Sequence, residues 1–119
     1  MVLLLYKPMT QKLLLKGMGV SRGKAEGSVC IVLSPSDYAK LHEGDILVTR
    51  MTDPSMTIII NRCAGIICDI GGMTSHPAII SRELGIPAIV AATNATTILT
   101  DGMKVSLDGA TGEIFSLID

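Results

Sequence analysis

The sequence has no tryptophan, one phenylalanine and two tyrosines in 119 residues. With aromatics at 3% and hydrophobic residues at 48%, its core has to be built from Ile, Leu, Val, Ala and Met. That much apolar material excludes a disordered chain. Charge of one sign is also missing. Ten Lys and Arg stand against eleven Asp and Glu, for a net charge of -1. No basic face is implied, so no nucleic-acid partner is expected. Cys30, Cys63 and Cys68 are odd in number and form no C-x-x-C, so we expect three reduced, buried thiols in a cytoplasmic protein. No paired ligand spacing points to a metal. The opening "MVLLLYKPMTQ" has an apolar run too short to span a bilayer, with neither a basic stretch before it nor a small-residue cleavage site after it. No membrane association is expected. Residues 1–15 read as an N-terminal extension or edge strand ahead of one domain over 16–119.

Short apolar runs separated by Gly, Pro, Asp and Ser fill the rest. "GSVCIVL" (27–33), "DILVTR" (45–50), "IICDI" (66–70) and "PAIVA" (87–91) read as strands. "SPSDYAKLHEG" (34–44), "DPSMTIIINRCAG" (53–65) and "HPAIISRELG" (76–85) read as helices, and 101–118 as a hairpin turning at "DGATG". Strand and helix alternate in the middle, which favours parallel pairing, and the flanks are β-rich. The expectation is a compact α/β domain with mixed parallel and antiparallel strands.

Each expected helix begins with a residue before proline: Ser34, Asp53 and His76. Proline is favoured in the first helical turn, and the residue before it is pushed towards the capping slot. Ser and Asp are good caps, but histidine is not. A local rule broken at one place points to function. A helix N-terminus offers free N–H donors and a partial positive charge, both of which favour a phosphate. The same field disfavours protonation of an imidazole, as in triosephosphate isomerase, where a helix N-terminus keeps a histidine neutral. In "GGMTSHPAII" (71–80), Gly71 and Gly72 permit close backbone approach, and Thr74 and Ser75 add hydroxyl donors. The stretch follows a strand end, where ligands of α/β sheets gather. These features describe a nucleophile and a phosphate cradle; a histidine in an ordinary glycine turn is the competing reading. Asp69 stands before the loop as a candidate orienting group for the ring, or as a plain strand-end carboxylate. Thr52 and Asp53 end the preceding strand and are candidates to lie beside His76, although capping accounts for Asp53.

"GGMTSHPAIISRELGIPAIV" (71–90) closely resembles the signature of the phosphohistidine domain of phosphoenolpyruvate-utilising enzymes. "KGMGVSRGKAEGSV" (16–29), "EGDILVTRMTDPSM" (43–56) and "DGMKVSLDGATGEI" (101–114) extend the likeness over residues 16–117. The resemblance implies a swivelling β/β/α domain with His76 as the phosphorylated residue. It implies that Gly71, Gly72, Thr74 and Ser75 hold the phosphoryl group, that Thr74 matches a regulatory threonine of some relatives, and that Arg82 matches a family arginine. Pro77 departs from the family's small residue there. The nucleotide-binding and phosphoenolpyruvate- or pyruvate-binding domains cannot fit in 119 residues. They are therefore expected on other chains or on parts lost from this one, with ATP or phosphoenolpyruvate and Mg²⁺ bound there and no cofactor on this chain. No G-x-x-x-x-G-K-[ST] loop occurs, and "GMGVSRG" (17–23) fails G-x-G-x-x-G because Arg22 stands at its last position. The implied role is a phosphoryl carrier, a phosphotransferase component insufficient alone. The alternative is a stand-alone interaction or regulatory module that kept the fold and lost the transfer.

Overall fold

The computed structural model describes residues 10–118. Four strands make its centre: β3 (Lys24–Val32), β4 (Ile46–Thr49), β5 (Gly65–Cys68) and β6 (Ala88–Val90) pair in parallel in that order. Every residue of β4, β5 and β6 is buried. Their short, continuous apolar runs are what a strand covered on both faces requires. Leu47, Ile66, Cys68, Ala88 and Val90 point into one apolar cluster, and Ile46, Val48, Ile67 and Ile89 into the other. Burying each large aliphatic side chain contributes roughly 1.5–3 kcal/mol.

Antiparallel strands flank this centre. β7 (Lys104–Asp108) pairs with β3 and forms the expected hairpin with β8 (Glu113–Ile118). β1 (Thr10–Lys16) lies beyond β8, and β2 (Met18–Ser21) lies beyond β6. The order is β1-β8-β7-β3-β4-β5-β6-β2, a single eight-stranded sheet of mixed sense. Of the expected segment 1–15, residues 1–9 lie outside the described residues, and the remainder forms most of the edge strand β1.

One residue, Gly17, links β1 at one end of the strand order to β2 at the other. The sheet therefore curls until its ends meet. Gly17 donates its N–H to the Gly112 carbonyl at 2.8 Å, and Gly109 donates to the Gly23 carbonyl at 2.8 Å. The β7–β8 turn thus sits directly on β2. Gly109 permits this approach, since a Cβ there would collide with the Ser21 carbonyl oxygen.

Two of the three expected helices change. Residues 34–44 do not form an α-helix. They form a 3-10 turn, Pro35–Lys40, in which the Asp37 carboxylate accepts from the N–H groups of Leu33 and Ser34. None of its residues is buried, so nothing packs a longer helix down. Residues 53–65 form a 3-10 turn, Pro54–Met56, and a single α-helical turn, α1 (Thr57–Ile60). The β-branched run 57–60 is a poor helix former. Asn61 ends the helix by donating its side-chain amide to the Thr57 carbonyl at 2.9 Å, and Gly65 already begins β5. Helix α2 (His76–Leu84) matches expectation, but its cap is Ser75 and His76 is its first residue. A fourth element, α3 (Ala95–Ile98), was not anticipated. All three cysteines are free and buried. No helix among the described residues is long and apolar enough to cross a membrane.

Candidate phosphoryl-acceptor site

The carboxyl ends of β4 and β5 deliver the two halves of the site. After β4 the chain runs through Arg50 and Met51 to Thr52, which is 2% exposed. After β5 it runs through Asp69 and Ile70 into the 71–75 loop and α2. Two ladder-like bonds hold these exits side by side, from the Asp69 and Ile70 N–H groups to the carbonyls of Thr49 and Arg50 at 3.1 and 3.2 Å.

His76 is half-buried. Its Nδ1 lies 2.8 Å from the Thr52 hydroxyl. That bond joins residues 24 positions apart and fixes the ring's rotation, leaving Nε2 as the ring nitrogen without this partner. Thr52 is itself buried, and its backbone N–H lies near the buried sulfur of Cys68.

Gly71 has a φ of +127°, closed to ordinary side chains, and a Cβ there would meet the Ser75 hydroxyl at 3.0 Å and Val90 Cβ at 3.1 Å. A Cβ at Gly72 would meet nothing within 4 Å; its part is its carbonyl, which accepts from the Ser75 hydroxyl at 2.7 Å and the Ser75 N–H at 3.1 Å. Ser75 thus spends its hydroxyl on closing the loop, and α2 has no side-chain cap. Pro77 has no N–H, and that of Ile79 goes to the Ser75 carbonyl at 3.1 Å. Among the described residues, the N–H groups of His76 and Ala78 are left as the free donors of the first turn. Thr74 is exposed at the loop's crest.

The structure therefore brings together His76, Gly71, Gly72, Thr74 and Ser75. It separates the two supporting candidates. Asp69 does not orient the imidazole: its carboxylate accepts from the Thr96 N–H at 2.9 Å and the Thr96 hydroxyl at 2.6 Å, capping α3. Thr52 occupies the place expected for it. Arg82 turns away towards β2 and donates Nε–H to the Val20 carbonyl at 2.7 Å. Asp53 caps the turn after Thr52 through the Ser55 N–H at 2.8 Å and the Ser55 hydroxyl. Those two bonds, the hydroxyl's first, hold its carboxyl below the usual range, and nearby His76 adds to the effect. The sequence shows that Thr52 ends a strand, but its hydroxyl's reach to a residue 24 places on follows only from the pairing of β4 with β5.

The chain is similar to several known proteins. A protein-family profile described as "PEP-utilising enzyme, mobile domain" matches residues 41–112. A probable phosphoenolpyruvate synthase of Archaeoglobus fulgidus is 51% identical over 104 residues, 87% of this chain and 14% of that protein. The phosphoenolpyruvate synthase of Pyrococcus furiosus is 47% identical over 104 residues, 87% of this chain and 13% of that protein. The chain thus spans only 13–14% of the length of these relatives. Among solved structures, the solution structure of an Enzyme I protein (nEIt) matches 65% of this chain and 32% of its own, at a TM-score of 0.56 and 35% identity.

Proposed function

The chain belongs to the mobile-domain family of phosphoenolpyruvate-utilising enzymes, and from that premise we propose that it is a phosphoryl carrier with His76 as its acceptor. The observation that carries this reading is the 2.8 Å contact between Thr52 Oγ1 and His76 Nδ1 at the mouth of α2. With the proton on Nδ1 and donated to Thr52, Nε2 holds the lone pair. That pair forms an N–P bond to the incoming phosphorus as the bond to the donor's leaving oxygen breaks, and the oxygen departs with its electrons. The reverse step hands the group to an acceptor. Phosphoryl transfer needs positioning and charge stabilisation more than covalent chemistry from the protein. The buried Thr52 supplies the first, and the free N–H groups of His76 and Ala78 supply the second.

Donor and acceptor sites belong, on this reading, to nucleotide-binding and phosphoenolpyruvate- or pyruvate-binding domains outside these 119 residues, on other chains or on further parts of this one, which also hold Mg²⁺. The relatives named phosphoenolpyruvate synthase, of which this chain matches a small part, support that assignment. Cytoplasmic location and a kinase-type activity go with it.

The test is intact-protein mass spectrometry at neutral to alkaline pH. The chain is incubated with Mg²⁺, extract of its source, and either ATP or phosphoenolpyruvate. An acid-labile phosphoryl adduct on the wild type and none on His76→Ala is the expected result. The folded wild type staying unlabelled by an extract that labels a relative would leave the interaction-module reading instead.

A further inference from the structure

We propose that a second oxyanion subsite lies beside the 71–75 loop, held by Arg22 and Arg82, and that it takes a phosphate group other than the one transferred to His76. Its use rests on the carrier reading above; its existence does not.

The location is an open cleft of about 670 Å³ between the 71–75 loop, β2 and the β7–β8 turn. Val20, Arg22, Met73, Thr74, Arg82 and Ala110 line it. Among the described residues, no carboxylate is in its walls. Arg82 is fixed there by an irregularity in the sheet. The pairing of β2 with β6 shifts register between Gly19 and Ser21, so Val20 stands out of the ladder. The Val20 carbonyl instead accepts from Arg82 Nε at 2.7 Å. That bond anchors the guanidinium at the cleft wall. Among the described residues, Nη2 finds only the Met73 sulfur at 3.8 Å. A thioether is a weak acceptor, so an oxyanion displaces it readily.

The second arginine follows directly on β2, at the turn into β3. Arg22 is the residue that breaks the glycine pattern of 17–23, and nothing in the carrier chemistry uses it. Among the described residues, no carboxylate lies within salt-bridge distance of Arg22 or Arg82; the ion pairs present involve Lys40 and His42. Two unneutralised guanidinium groups on one cleft concentrate anions, and their planar forks match phosphate oxygens in pairs. Thr74 contributes a hydroxyl from the loop whose next residues are Ser75 and His76. A group bound here therefore sits close in the chain to the acceptor. That placement suits a non-transferred phosphate of the donor, and free phosphate shares the same chemistry.

The experiment is an NMR titration of the ¹⁵N-labelled chain with inorganic phosphate and, separately, with AMP. Saturable shifts in the amides of Arg22, Met73 and Thr74 and in the Arg82 Nε–H are expected. Arg22→Ala, an exposed turn position, should weaken binding by about 10-fold, the loss of one charge-assisted contact. His76→Ala should leave the shifts in place while abolishing the phosphoryl adduct, so the subsite and the carrier role fail separately. Tighter binding of AMP assigns the subsite to a nucleotide's phosphate, and equal binding to phosphate itself. Shifts confined to residues 75–78, shifts indifferent to Arg22→Ala, or none at all would overturn the proposal.

Discussion

At the scale of single residues, the site depends on which atom holds the imidazole. A carboxylate is the usual orienting group, and Asp69 stands shortly before His76 in the chain. The buried hydroxyl of Thr52 has the place instead. Thr52→Val keeps the side chain's shape and removes the hydrogen bond. It should slow labelling of His76 by roughly 10- to 100-fold, the cost of a misplaced reacting group, with the far-ultraviolet circular dichroism unchanged. Thr52→Ser should recover most of the rate, and a rate in Thr52→Val equal to wild type would remove the positioning role. The buried thiols make a second residue-scale case. Desolvation pushes both Cys63 and Cys68 from 9.0 up to about 12. A thiol whose folded value is raised contributes stability that is present below the unfolded value and lost as pH rises through the folded one. Stability should thus be level up to about pH 9.0 and fall towards pH 12. Urea unfolding across that window checks this, and the Cys63→Ala, Cys68→Ala double variant should show a shallower fall.

At the scale of elements, short segments take their form from what they touch. α3 has only four residues, too few to persist alone. It is held by Asp69, which accepts from Thr96 across 27 positions of sequence. Asp69→Ala should cost about 1 kcal/mol, the usual value of a lost cap, measured by chemical denaturation. It should leave the labelling of His76 intact; a fall matching that of Thr52→Val would return the orienting role to Asp69. The same dependence explains the misread segments. "SPSDYAK" and "DPSMTIIIN" carry good start signals, and those signals work: Asp37 and Asp53 both accept from nearby N–H groups. Start signals do not set length, however. The first segment buries none of its own residues, and Ile58 in the second stays 77% exposed. α2 reaches nine residues because Pro77, Ala78 and Ser81 pack against the sheet.

At the scale of the whole molecule, the eight strands form one curled sheet whose ends are joined through Gly17 and pressed together by the β7–β8 turn. The seam matters for the site. It sets Val20 within reach of Arg82, and so ties β2 to the back of the helix that carries His76. Gly109→Ala drives a methyl against a backbone oxygen that has no rotamer to escape into. It should destabilise by about 3 kcal/mol or more, seen as a lowered midpoint of unfolding, while Ala110→Gly in the same turn should cost far less. Much of this architecture is legible from the chain alone. The apolar runs at 45–50, 66–70 and 87–91 declare buried parallel strands, because only a strand covered on both faces dispenses with alternation. "DGATG" declares the hairpin, since Asp108 bonds the N–H groups of Ala110 and Thr111 within the turn itself. The loop 71–76 reads as an anion-binding helix start through local chemistry. Such signals need only neighbours in sequence. The partner of His76, the true use of Asp69 and the place of Arg82 join residues 24, 27 and 62 positions apart. The closing of the sheet joins Gly17 to Gly112, nearly the whole length of the chain. No local preference encodes those distances. They are decided when strand order and register bring separate loops to the same end of the sheet.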